Sequence, residues 1–151
     1  GPIPYYGANG QVGWIDEYLF DEPLVLVVED ETFIGRTKPF SYVIEGKSWV
    51  NNHAHVLRPL DGLFYQFLNI MLMYYPFIPL TSGTTNRRKL TQAGLSNAPI
   101  AIPPLAEQKR IVAKVDELMA LCDRLEAQLT TNATQSRRLL EAVLHEALAG
   151  A

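Results

Sequence analysis

The final 47 residues, from Leu105 onward, contain no proline and a single glycine, Gly150, while all ten prolines and nine of the ten glycines come earlier. With both helix breakers absent over so long a stretch, the α-helix meets the least opposition. Pro104 suits a first helical position, and Glu107 falls in the first turn, where the helix dipole favours an acid. Apolar residues then recur at Ile111, Val115, Leu118, Cys122, Leu125 and Leu129. Their alternating spacing of four and three is a heptad. Continuing the count passes through Asn132 and Ser136 and returns to Leu139 and Val143. Two readings follow: one long helix with a polar middle, or two helices joined near Thr131–Thr134. The preserved phase favours one helix. At about 1.5 Å per residue it would reach roughly 65 Å. Such a seam needs cover, either from a partner helix or by folding back on its own domain.

The earlier part, residues 1–103, reads differently. Leu24–Glu29 is a short valine-rich run, expected to be a buried strand. Phe40–Ile44 and His53–Leu57 are further strand candidates. Tyr5–Gly13 is rich in turn residues. Gly62–Tyr75 carries apolar residues at helical spacing and stops at Pro76. Thr81–Asn86 reads as a loop, Arg87–Ala93 as one or two helical turns, and Leu95–Ile102 as an extended segment. The fold class expected is α+β, with mixed strands and short helices over 1–103 and a long coiled-coil-type helix over 104–151.

Composition narrows the chemistry. Cys122 is the one cysteine, so a disulfide within the chain and a cysteine-rich zinc site are both ruled out. A reducing, cytoplasmic setting fits that usage. The longest apolar run is broken by Gln66, Asn69, Pro76 and Pro79 and is too short to span a bilayer. No leader of the secretory type opens the chain. The net charge is −3, with 7 basic and 9 acidic residues in 1–103 and 6 and 7 thereafter. Neither half has the basic excess of a protein that grips nucleic acid unaided.

The densest polar cluster is Thr81-Ser82-Gly83-Thr84-Thr85-Asn86-Arg87-Arg88-Lys89. Cations neutralise phosphates, while hydroxyls and amides bond phosphate oxygens or base edges. Were Asn86 to cap a short helix, its free N–H groups would add an anion site. A phosphate-loop enzyme is not indicated, because the required glycine-lysine spacing is missing. Tyr5–Gly10 pairs aromatics with a flexible turn. Asn51–His55 places two histidines at strand spacing, without further ligands for a metal. An enzymatic reading is also open: Asp30, Glu45 and Lys47 resemble part of a Mg²⁺-dependent nuclease core, with two carboxylates for the metal and a lysine for the attacking water. A third reading makes the helix the whole function, as a protein-interaction module.

The segment Ala101-Ile102-Pro103-Pro104-Leu105-Ala106-Glu107-Gln108-Lys109-Arg110-Ile111-Val112 closely resembles the junction between recognition domain and spacer helix in type I restriction enzyme specificity subunits. Ile3–Gly10, Ile15–Tyr18, Gly83–Leu90 and Val115–Glu126 resemble the same family. The resemblance implies a target recognition domain over 1–103, incomplete at its start, and a spacer or dimerisation helix over 104–151. It implies a non-catalytic subunit without a cofactor that reads one half of a split site in double-stranded DNA. Methyltransferase subunits, and through them restriction subunits, are the implied partners. The chain then reads as a C-terminal fragment or a half-length form. Two copies would pair through Ile111, Val115, Leu118, Cys122, Leu125, Leu129, Leu139 and Val143, restoring a two-domain layout. The residues expected to face DNA are Thr84, Thr85, Asn86, Arg87, Arg88 and Lys89, followed by Tyr6, Asn9, Lys38 and Asn52.

Overall fold

The computed structural model describes residues 1–150, with Glu31 described by its backbone alone. The chain forms β1 (Ile3–Gly7), β2 (Gly10–Ile15), β3 (Phe20–Asp21), β4 (Leu24–Val28), β5 (Asp30–Glu31), β6 (Ser41–Ile44), β7 (Lys47–Val50) and β8 (Ala54–Leu57). Then come α1 (Tyr65–Met73), a 3₁₀ turn (Ile78–Leu80), β9 (Ser82–Gly83), β10 (Arg88–Lys89), α2 (Gln92–Ser96) and α3 (Leu105–Ala149). Mixed strands followed by a long helix give the α+β class expected.

Three small sheets share the strands in the orders β2-β1-β7-β3, β6-β4-β8 and β5-β10-β9. Strand β4 is the centre of the unit. Each of its five residues is buried. Side chains alternate across a strand, so its apolar run serves two cores. Val25 and Val27 pack with Phe33, Phe40, Leu68, Leu72, Phe77 and Leu90 on one side. Leu24 and Leu26 pack with Ile44, Val50 and Ala54 on the other. A continuous apolar strand, rather than an alternating one, is what burial on both faces demands.

Several local expectations are corrected. Ser82 and Gly83, expected within a loop, form strand β9 by pairing with Lys89 and Arg88. Arg88 and Lys89 form strand β10 rather than a helical turn, because they pair with Glu31 and Asp30 on one side and with Gly83 and Ser82 on the other. Helix α2 begins later and is capped by Thr91, whose hydroxyl accepts the Gly94 N–H at 3.1 Å. Asn86 caps no helix. Leu95 and Ser96, expected to be extended, complete α2.

Helix α3 is unbroken over 45 residues. The helix continues through the polar stretch, where Thr130, Thr131 and Thr134 donate their hydroxyls to the carbonyls of Glu126, Ala127 and Thr130, at 2.9–3.0 Å. These bonds satisfy the hydroxyls inside the helix without strengthening it. The chain divides into two compact units, Gly1–Val112 and Ala113–Ala151. The first helical turns thus count with the globular unit, where Gln108 and Val112 are buried. Among the described residues, no helix is long and apolar enough to cross a membrane.

Candidate nucleic-acid interface

Strands β9 and β10 are the arms of a tight hairpin whose tip is Thr84-Thr85-Asn86-Arg87. The Thr84 N–H donates to the Arg87 carbonyl at 3.0 Å. Gly83 opens the tip at φ +123°, and a Cβ there would lie 2.4 Å from the Arg87 carbonyl oxygen. Only glycine meets both conditions. Ser82 through Arg87 are exposed, so hydroxyls, an amide and a guanidinium project together from a base fixed on three strands.

The three cations of this hairpin do different things. Arg88 is half-buried and turns inward: Nε donates to the Thr81 hydroxyl at 2.7 Å and Nη2 to the Thr81 carbonyl at 3.0 Å. Its role in the structure is to lock the hairpin base. Lys89 Nζ lies 2.7 Å from Glu29 Oε1. Arg87 Nε lies 3.5 Å from Asp30 Oδ1, with its side chain 80% exposed. The Lys89 ammonium is pushed above its ordinary pKa, first by its hydrogen bond to Glu29 and then by that carboxylate's charge.

The second cluster lies around the Gly7–Gly10 turn. Asn9 is exposed, and its Oδ1 accepts Arg36 Nη2 at 2.8 Å. Arg36 also donates to the Pro39 carbonyl at 2.8 Å and lies over the Phe40 ring. Lys38 is exposed, and Asn9, Arg36 and Lys38 line one cleft of about 390 Å³. Asn52 is exposed in the turn before β8. Tyr6 is half-buried, packs against the Leu24–Leu26 core and meets the Tyr42 ring at 6.2 Å. Tyr42 donates its hydroxyl to the Gly7 carbonyl, and burial pushes its phenol well above the ordinary value, so it stays neutral. Arg36 and Glu29 were not among the residues singled out from the sequence, and Asp30 was singled out only for the nuclease reading. The partners of the two acids, Lys89 and Arg87, are distant in the chain.

The register of the strands brings these pieces to one end of the sheets. Val28 at the end of β4 pairs with Ala54 at the start of β8. Tyr6 near the end of β1 pairs with Val50 at the end of β7. The Asn51 N–H donates to the Tyr6 carbonyl, the Glu29 N–H to the His53 carbonyl, and the Leu90 N–H to the Glu29 carbonyl. His55, one of the two strand-spaced histidines, bonds the Leu90 carbonyl through Nε2 and so ties β8 to the hairpin.

The nuclease arrangement is not assembled. Leu24 pairs with Ile44 and Val27 with Ser41, which puts Glu45 and Asp30 at opposite ends of the β4–β6 ladder. At about 3.3 Å per residue the two are separated by roughly 20 Å. Glu45 accepts the Tyr65 hydroxyl at 2.7 Å instead. Among the described residues, no group of three or more histidine, cysteine, aspartate or glutamate side chains is placed to hold a metal ion.

Along α3, Ile111 and Val115 are half-buried, and the remaining seam residues are exposed. Leu118 is 48% exposed, Leu125 49%, Leu129 68%, Leu139 66% and Val143 54%. Cys122 is a free thiol on the same stripe.

Comparison with known proteins bears on the whole arrangement. The chain matches the type I restriction modification DNA specificity domain over residues 1–135. It is 41% identical over 124 residues to a putative type I restriction enzyme specificity subunit of Haemophilus influenzae, covering 80% of this chain and 31% of that one. It is 36% identical over 110 residues to the EcoAI specificity subunit of Escherichia coli, covering 70% and 19%. With the EcoEI specificity subunit of the same species it shares 35% over 95 residues, covering 60% and 16%. The chain therefore spans a third or less of the length of these relatives. A family match that runs through the mixed unit and well into the helix leaves one assignment: the chain belongs to the type I restriction modification DNA specificity domain family.

Proposed function

We propose that this chain is the DNA-reading part of a type I restriction-modification specificity subunit, without catalysis of its own. The observation that carries the reading is the Ser82–Lys89 hairpin. Its tip exposes Thr84, Thr85, Asn86 and Arg87 above a base held by Arg88 and by pairing with β5. Rigid placement of short polar side chains is what base-edge recognition requires. Asn9, Lys38 and Asn52 supply further phosphate or edge contacts, and Tyr6 supports the turn that carries Asn9. The relatives are bacterial, and a chain that reads chromosomal DNA works in the cytoplasm.

Helix α3 supplies the second half of the reading. Its exposed seam pairs antiparallel with an equivalent helix, from a second copy or from another part of a longer chain, and spaces two recognition units. The recognition domain is residues 1–103 and the spacer helix 104–151, with the helix's first turns through Val112 belonging to the same compact unit as the domain. Methyltransferase subunits, with restriction subunits beyond them, complete the assembly. With 7 basic and 9 acidic residues in 1–103, tight DNA binding depends on that assembly.

The test is methylation-site mapping in cells carrying the full-length gene, with Thr84, Thr85 and Asn86 replaced by alanine. A changed or relaxed half-site supports the reading. An unchanged site with full methylation overturns the placement of the hairpin on DNA.

A further inference from the structure

Two of the three cations in the hairpin face carboxylates that lie deeper than they do. The Glu29 and Asp30 side chains are 19% and 25% exposed, against 56% for Lys89 and 80% for Arg87. The acids thus sit beneath, and the cations extend over them toward solvent. Resting on the DNA-facing reading of the hairpin, we infer that Glu29 and Asp30 are specificity-determining residues that act as an electrostatic brake. They occupy Lys89 and Arg87, so a DNA phosphate must compete with a carboxylate already in place.

A purely structural role does not account for the pair. The hairpin is positioned without their carboxylates, by backbone pairing of Lys89 with Asp30 and Arg88 with Glu31. The Leu90 N–H adds a bond to the Glu29 carbonyl at 2.8 Å, and Arg88 clamps Thr81. Ion pairs whose cations are this exposed add little to stability. Their effect on an approaching polyanion is larger, because like charge persists at the contact after the cation has turned to the phosphate.

The consequence concerns discrimination. Phosphate contacts strengthen binding to every sequence alike. Weakening them lowers the generic term, and the tip residues Thr84, Thr85 and Asn86 then decide where the chain stays. A hairpin with Lys89 and Arg87 unopposed would hold any duplex more tightly.

The experiment compares the full-length specificity subunit, assembled with its methyltransferase subunits, with the same assembly carrying E29Q/D30N, which keeps side-chain size while removing both charges. Binding to a 30-base-pair duplex of arbitrary sequence is followed by fluorescence anisotropy across a sodium chloride series, with circular dichroism as a check on folding. Neutralising the acids is expected to tighten binding about tenfold at low salt and to steepen the salt dependence by about one to two units of slope. Adding R87A/K89A to E29Q/D30N is expected to abolish the gain. A gain that survives R87A/K89A overturns the brake, because the acids then act only through overall charge. No gain in E29Q/D30N, with weaker binding in R87A/K89A alone, overturns the brake and leaves the hairpin on DNA. Binding untouched by either pair overturns both.

Discussion

The side-chain oxygen of Gln108 accepts the backbone N–H of Phe64 at 2.8 Å, joining positions 44 apart in the sequence. Phe64 is the N-cap of α1, and no side chain of its own turn satisfies that end. Gln108 Nε2 donates to the carbonyls of Gly62 and Pro103, each at 2.8 Å. The side chain is fully buried, and its carboxamide ties the first turn of α3 to the segment that opens α1.

Gln108→Leu leaves one donor and two acceptors in a part-buried setting without their partner. The globular unit should lose about 2–4 kcal/mol of stability, the cost of orphaned polar groups. Gln108→Glu should also destabilise it, since a carboxylate cannot donate to Gly62 and Pro103. Urea denaturation followed by tryptophan fluorescence measures this, and an unchanged midpoint in both variants would contradict the anchor.

Arg87 and Arg88 should separate cleanly despite being neighbours. Arg88→Ala frees the Thr81 hydroxyl and carbonyl and should cost about 1–2 kcal/mol in thermal unfolding. Arg87→Ala, at an exposed tip, should change stability by less than about 0.5 kcal/mol while weakening DNA binding in the assembled enzyme. If the two variants behave alike in both assays, the division of labour within the hairpin is wrong.

The exposed seam of α3 is expected to drive self-association. Asp at Leu118 and Leu125 places charge in the middle of the stripe and should shift sedimentation from dimer toward monomer without loss of helical circular dichroism. An intact dimer in the double variant would place the interface elsewhere.

Two glutamates should titrate low. Arg58 holds the Glu22 carboxyl below the usual glutamate value by donating a side-chain hydrogen bond, and Arg110 does the same for Glu107. A depressed folded pKa contributes stability that is present above the unfolded value and lost as pH falls through the folded one. Both pairs are exposed, so the gain is small. NMR titration should put both midpoints below that of a free glutamate side chain. Arg58→Ala and Arg110→Ala should each return its own partner, and not the other, to the ordinary value.

What could be read without coordinates followed from periodicity. The preserved heptad phase favoured a single long helix over two, and the valine-rich run at Leu24–Glu29 pointed to a buried strand. Apolar spacing likewise marked α1. The hairpin was legible as a polar cluster but not as a structure. Arg88 and Lys89 become strand only because Asp30 and Glu31, far back in the chain, offer them ladder partners.

The same limit explains the candidate site. The sequence by itself determined which residue types are available, where the helix runs and that its seam demands cover, because each depends on neighbours within one or two turns. It also supplied Asp30, Glu45 and Lys47 as a plausible catalytic set. Only the tertiary structure decided that two of these acids stand at opposite ends of a strand pair. It also turned Arg88 inward and set Glu29 and Asp30 against Lys89 and Arg87. Charge acts through space at a few ångströms, and strand register, which is a non-local property, decides which charges come that close.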